Sequence, residues 1–225
     1  MTDATPSDTS TDTPSDAASP ADSPAPKRSR LRRWVREISV FMVLAFVLLS
    51  ARSSLADHYQ VPTGSMLPTV HIDDRILVNK AAYGLRVPFT SSFLTEFQGP
   101  QIGDTVVLRS PEDGRVLLKR VVGIPGTTIE VHLGQISIDG KLAPIEEHYG
   151  MLVEDLAGTH HLVRLTNAGG PDFGPVTLPD GKYLVMGDNR GDSHDGRSFG
   201  LVSRDAFLGR AMGVYWRGGP TWDPL

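Results

Sequence analysis

From Gln60 onward the sequence is a string of short β-rich runs, each bounded by Gly, Pro, Asp or Asn, with almost no helical periodicity between them. The runs cover residues 75–79, 105–108, 116–122, 128–131, 135–138, 162–165 and 183–186, and a last one covers 211–216. Chains punctuated this densely fold as sheets, so the spacing predicts a mainly β domain. Leu133-Gly134 and Asp139-Gly140 are hairpin turn pairs, which makes 127–141 a small meander. Residues 141–179 are rich in Gly, Pro and His with weak patterning, and read as an insertion or cap rather than core. The six residues after 219 read as a polar, Pro-containing tail. No internal repeat or heptad pattern is present.

Upstream the character changes twice. Residues 1–26 are built from Thr, Ser, Ala, Pro and Asp, too polar to offset the entropy of ordering, and are expected to be disordered. Asp3, Asp8, Asp12, Asp16 and Asp22 exclude an Arg-rich transit peptide. A basic cluster follows (Lys27, Arg28, Arg30, Arg32, Arg33, Arg36), completing an N-terminal region at 1–33, and then residues 38–51 run without a charge. Those fourteen residues cover about 21 Å of helix against a hydrocarbon core of roughly 30 Å, so a transmembrane helix must recruit its flanks and is placed at 34–56. A cleavable signal peptide is the competing reading, since Ser54-Leu55-Ala56 offers a small-x-small cleavage site. In both readings the preceding positive charge puts residues after about 57 on the outer face of the membrane. Absence of cysteine excludes a disulfide framework, a thiolate nucleophile and a Cys-based metal site, and the charge pattern carries no nucleic-acid footprint.

The stretch Val61-Pro62-Thr63-Gly64-Ser65-Met66-Leu67-Pro68-Thr69 puts two prolines, a glycine and three hydroxyl residues into nine positions, a rigid turn presenting Ser65. Acyl chemistry needs a base beside such a nucleophile. The histidines are poorly placed: His58, His132, His148, His160 and His161 fall in loops or irregular segments, and His71 and His194 lack a carboxylate partner in sequence. Lys119 is better placed, because alternation in 116–122 sets it on one face with Leu117 and Val121. Desolvation there lowers a lysine pKa towards neutrality; otherwise Lys119 snorkels at a strand end. A second polar cluster, Gly187-Asp-Asn-Arg-Gly-Asp-Ser-His-Asp-Gly-Arg197, is dense in acid, yet Arg190 and Arg197 oppose a calcium site.

Taken in order, Pro62 to Thr69, Gly103-Asp-Thr-Val-Val107, Lys119-Arg-Val-Val-Gly-Ile-Pro-Gly126 and Gly187-Asp-Asn-Arg190 with Ser193, Asp195 and Arg197 resemble the bacterial type I signal peptidases. The resemblance spans residues 36–216. It implies a membrane-anchored serine endopeptidase that removes signal peptides from secretory precursors, cutting after small residues through an acyl-enzyme, with no cofactor or metal. It further implies a catalytic β domain at 57–126 and 181–219, a β cap at 127–180, and contact with membrane lipid. By that resemblance Ser65 is the nucleophile, Lys119 the general base, and Thr63 with the Ser65 N–H the oxyanion hole. Ser193 would orient Lys119, Asp195 and Arg197 would pair to shape the site, Asp188 would support the same turn, and Met66 would line the substrate surface. Thr63, Thr127 and Gly196 depart from the commoner Ser, Asp and Ser of the family. Two other readings stay open: a Ser–Lys autoprotease of the SOS-repressor kind, which would need a DNA-binding segment where the acidic tail and apolar run stand, and an anchored β domain that only binds envelope proteins.

Overall fold

The computed structural model describes residues 28–86 and 93–225, so the expectation of disorder for 1–26 lies outside the described residues. The chain divides into a unit ending at Leu44 and one running from Ala45 to Leu225. The described part of the first is helical. Helix α1 (Arg28–Leu55) holds 28 residues, beginning earlier than the expected 34 and ending one residue short of 56, where a strand starts. Neither Gly nor Pro interrupts it, so nothing local stops the helix. Its large apolar side chains, among those described, are exposed, with Trp34 at 64% and Phe41 at 69%. Among the described residues no helix is long and apolar enough to cross a membrane.

The second unit is mainly β. In chain order its strands are β1 (Ala56–Gln60), β2 (Arg75–Asn79), β3 (Gly84–Arg86), β4 (Phe93–Glu96), β5 (Thr105–Arg109), β6 (Val116–Gly123), β7 (Thr128–His132), β8 (Gln135–Ile138) and β9 (Lys141–Leu142). There follow β10 (Ile145–His148), β11 (Met151–Leu156), β12 (Thr159–Val163), β13 (Phe173–Thr177), β14 (Lys182–Met186), β15 (Val202–Ser203), β16 (Phe207–Trp216) and β17 (Pro220–Pro224). The main sheet runs β1-β2-β16-β5-β6-β14-β15, with β17 added to β16. Alternation sends neighbours to opposite faces. On β5, Val107 joins Met66, Ile76, Val78 and Val214 in one core, whereas Val106 and Leu108 join Val121, Val185 and Phe207 in another.

Between 128 and 177 the strands form two further sheets, β13-β7-β8-β9 and β10-β11-β12. The expected meander is there, its turns carrying positive φ at Leu133, Gly134, Asp139 and Gly140. Ile129, Val131, Ile136 and Leu156 share one core with Val122, Leu184 and Met186, so these sheets pack onto the ends of β6 and β14.

Three expectations need correction. Residues 141–179 are not irregular but carry β9 to β13. Their patterning was weak because charged or polar side chains, Glu154 and His161, occupy buried strand positions. The run at 162–165 is the end of a strand that starts at Thr159 and stops at Val163. Residues 220–225 are not a free tail: β17 pairs Gly213↔Pro224 and Trp216↔Pro220 along β16, filling the edge that β5 leaves beyond Arg210, with its prolines at strand ends where a missing N–H is tolerated.

Candidate active site

The loop after β1 is shaped by its own sequence. Thr63 is extended, with φ −133 and ψ 157, and Gly64–Met66 then make one 3-10 turn. Met66 is fully buried among Val61, Val70, Ile76 and Val107, which pins the turn from below and leaves Ser65 beside it part-exposed. From above, the Asn189 N–H donates to the Ser65 carbonyl at 3.1 Å and the Asn189 side-chain amide donates to the Gly64 carbonyl at 3.1 Å. The two chain segments meet so closely that a Cβ on Gly187 would lie 2.4 Å from the Ser65 carbonyl oxygen, so only glycine fits there.

Lys119 is brought to Ser65 by β6. Its side chain is buried, 2% exposed, and its Nζ lies 2.6 Å from Ser65 Oγ. Burial pushes the amine down from its ordinary 10.5 to about 8; Asp195 and Asp188 pull the other way, and Arg197 adds to the lowering. A buried amine of this kind is deprotonated often enough near neutral pH to take a proton from the hydroxyl it touches. Thr63 Oγ1 donates to the same Ser65 oxygen at 3.5 Å.

Charge pairs frame this contact. Arg120, next to Lys119 on β6, donates from Nε and Nη2 to the two Asp188 oxygens at 2.9 Å each, and Thr69 donates its hydroxyl proton to Asp188 at 2.6 Å. Burial raises the Asp188 carboxyl, but the Arg120 charge and hydrogen bonds outweigh it and hold the group below the usual carboxylate range. Asp195 caps the short helix α2 (Gly196–Phe199) and accepts from the Gly187 N–H at 3.0 Å and from Arg197 Nε and Nη2 at 2.9 and 2.8 Å. It too stays below the usual range, because Arg197 and the Gly187 N–H overcome burial.

Ser65, Lys119, Thr63, Asp188, Asp195, Arg197 and Met66 are thus brought together around one contact. Ser193 is different. Its hydroxyl is buried in the same turn against Gly187 and helps hold the Asp195 carboxyl down, and the expected bond to Lys119 is not made. The departures from the family pattern are accommodated locally. Thr127 closes its turn by donating its hydroxyl to the Ile124 carbonyl at 2.7 Å, and a Cβ at Gly196 would lie 2.8 Å from the Val185 carbonyl oxygen. Sequence reasoning missed Arg120, Thr69 and Asn189 as partners of the site. It also misplaced the histidines: His58, His132, His148, His160 and His161 all lie on strands, His194 pairs with Glu112 at 2.8 Å, and His161 is buried.

A cleft of about 320 Å³ opens on Ser65 and Lys119, lined by Tyr59, Val61, Ile76 and Leu118 among others. One wall is the first half of β6. Residues 116–119 pair with β5 on one side, whereas β14 reaches only 120–123 on the other, so among the described residues that half-edge has no strand beside it.

The family model for signal peptidase, peptidase S26, matches residues 31–216. Signal peptidase I of Pseudomonas aeruginosa is 34% identical over 199 residues, covering 78% of this chain and 70% of its own. Signal peptidase I S of Bacillus subtilis is 34% identical over 191 residues, covering 84% of this chain and 91% of its own. The crystal structure of a signal peptidase I from Enterococcus faecalis aligns with a TM-score of 0.35 and 26% identity, over 51% of this chain and 98% of that one.

Proposed function

The chain belongs to the signal peptidase family, peptidase S26, and is a serine peptidase, and from that premise we propose a Ser–Lys mechanism acting on secretory precursors. The observation that carries it is the 2.6 Å contact between Ser65 Oγ and the buried Lys119 amine. An extended precursor segment lies along the half-edge of β6, with small residues before the cut facing the apolar cleft. Neutral Lys119 takes the Ser65 proton while Ser65 Oγ bonds to the carbonyl carbon. The Ser65 N–H and the Thr63 hydroxyl stabilise the oxyanion. As the tetrahedral intermediate collapses, the Lys119 ammonium gives its proton to the leaving amine and the C–N bond breaks. Lys119 then takes a proton from water, whose oxygen attacks the ester, and the acid product leaves with Ser65 reprotonated. No cofactor or metal enters this scheme.

Asp188, Asp195 and Arg197 hold the shape of the turn that faces the pair, Arg197 also favouring the neutral amine that the two carboxylates oppose, and Met66 forms the apolar floor under the nucleophile. Ser193, buried in the same turn beside Gly187 and Asp195, is the group assigned to orient Lys119 once Ser65 is acylated. The chemistry is assigned to a catalytic part at 57–126 and 181–219 with a cap at 127–180. The anchor is assigned from the sequence, where the uncharged run 38–51 recruits its flanks to reach the hydrocarbon thickness and is preceded by Arg32, Arg33 and Arg36. It spans the bacterial cytoplasmic membrane once, with the N-terminus cytoplasmic and the catalytic part on the outer face. The test is cleavage of a purified secretory precursor by detergent-solubilised protein, with sequencing of the new N-terminus. Wild type should cut after a small residue while folded Ser65→Ala and Lys119→Ala do not. Normal cutting by either variant sinks the assignment.

A further inference from the structure

On the β11–β12 hairpin, Glu154 and His161 stand directly opposite each other in the register. They occupy the same face as Leu156 and Val163, which are buried. The position calls for an apolar pair, yet it holds a carboxylate and an imidazole, with Glu154 at 0% exposure and His161 at 7%. Burying such groups is costly unless they are bonded, and a replaceable pair would be expected to be apolar.

What they touch supplies the reason. Glu154 accepts from both Arg190 amino groups, Nη1 at 3.0 Å and Nη2 in a still shorter bond, and Arg190 Nη1 also donates to the Gly134 carbonyl at 2.7 Å. His161 Nε2 lies 3.3 Å from Glu154, close enough to help hold that carboxyl down, and 3.9 Å from Asp188, while Nδ1 has no hydrogen-bond partner. The imidazole is a wedge between two carboxylates. Asp188 is gripped on its other side by Arg120 and Thr69. Asn189 sits between the two held residues, and its two bonds are the ones that reach Ser65 and Gly64.

We propose that Glu154 and His161 are positioning residues for the peptidase reaction, bracing Asp188 and Arg190 so that Asn189 holds the Ser65 loop against Lys119. The inference rests on the Ser–Lys reading above. Removing the wedge lets Asp188 and Arg190 shift, loosens Asn189 from the loop, and admits water to Lys119. Lys119 faces Asp188 and Asp195, which favour its ammonium form, and Arg197, which disfavours it; the loss of burial adds to the side of the ammonium.

The experiment compares full-length, detergent-solubilised wild type with His161→Leu, His161→Gln and Glu154→Gln on the same purified precursor, measuring kcat and KM from pH 6 to 10. His161→Leu should lower kcat on the order of tenfold with KM unchanged, as expected for a small misplacement of reacting groups, and should move the rise of activity to higher pH. His161→Gln, which keeps an amide nitrogen where the ring nitrogen stands, should recover most of the rate. Glu154→Gln should change kcat and the pH profile in the same direction. The proposal is overturned if both His161→Leu and Glu154→Gln keep the wild-type kcat and pH profile. It is also overturned if the loss is uniform across pH and matches the unfolded fraction in thermal melts. Should His161→Leu not fold, Glu154→Gln decides alone. Wild type that cleaves nothing, or Ser65→Ala that still cleaves, overturns the Ser–Lys reading itself and this inference with it, an outcome read from different samples.

Discussion

The loop that carries Ser65 and the turn that faces it are held by opposite means. The loop rests on apolar contacts through Met66, Val61 and Val70 and on backbone hydrogen bonds, neither of which titrates. The turn from Gly187 to Arg197 is held by buried ion pairs, Arg120 with Asp188 and Arg197 with Asp195. A hydrophobic seat is tolerant of pH but sensitive to volume, and a charged seat is the reverse. The proposed Ser65–Lys119 pair lies where the two meet, so each side can be broken separately.

The largest effect should come from the pair itself: Ser65→Ala or Lys119→Ala is expected to cost on the order of 10⁴-fold in kcat or more, measured on the purified precursor. Next comes the charged side. Arg120→Leu strands Asp188 and should destabilise the protein by about 3–5 kcal/mol in denaturant melts, more than loss of an exposed pair would. On the apolar side, Met66→Ala should cost about 2–5 kcal/mol by leaving a cavity, with no dependence on pH between 5 and 8.

Lys119→Met separates activity from stability. Burial brings the folded amine from its ordinary 10.5 to about 8, so the unfolded chain binds the proton more tightly and folding loses stability as pH falls below 10.5, in full below about 8. The inactive Met variant should therefore be more stable at pH 7, by up to about 3 kcal/mol. The difference should shrink as pH rises from 8 and vanish above 10.5. The smallest effect is at the acid end. Asp188, Asp195 and Glu154 are all held below their ordinary values, so their stabilisation is present above about pH 4 and is lost as pH falls through the lower folded values. Hydrogen exchange in acid should open the 187–197 turn before the Met66 loop; the reverse order would break the contrast.

Ser65 and Lys119 were legible because each is marked locally, one by Gly and Pro spacing, the other by a charge set on the same strand face as the apolar Leu117 and Val121. Most strands of the main sheet were legible for the same reason. Arg120 was not, since its partner Asp188 lies 68 residues away and nothing near it names that partner. Glu154 and His161 were worse than invisible. They broke the alternation of two real strands and made the segment look irregular, because a buried pair and an exposed pair have the same letters. Ser193 shows the opposite failure: its position was expected, but the direction of a hydroxyl is set by packing against Gly187.

The unpaired half-edge of β6 has a consequence beyond substrate access. An open strand edge invites any extended chain, including another copy of the same protein. Here the invitation spans only residues 116–119, is bordered by the exposed charge of Arg115, and opens into a cleft. That is too short and too recessed a template for edge-to-edge growth. A thin flexible strand can enter where the rim of a folded sheet cannot, so the geometry that would admit the extended precursor proposed above is a poor seat for a second folded sheet.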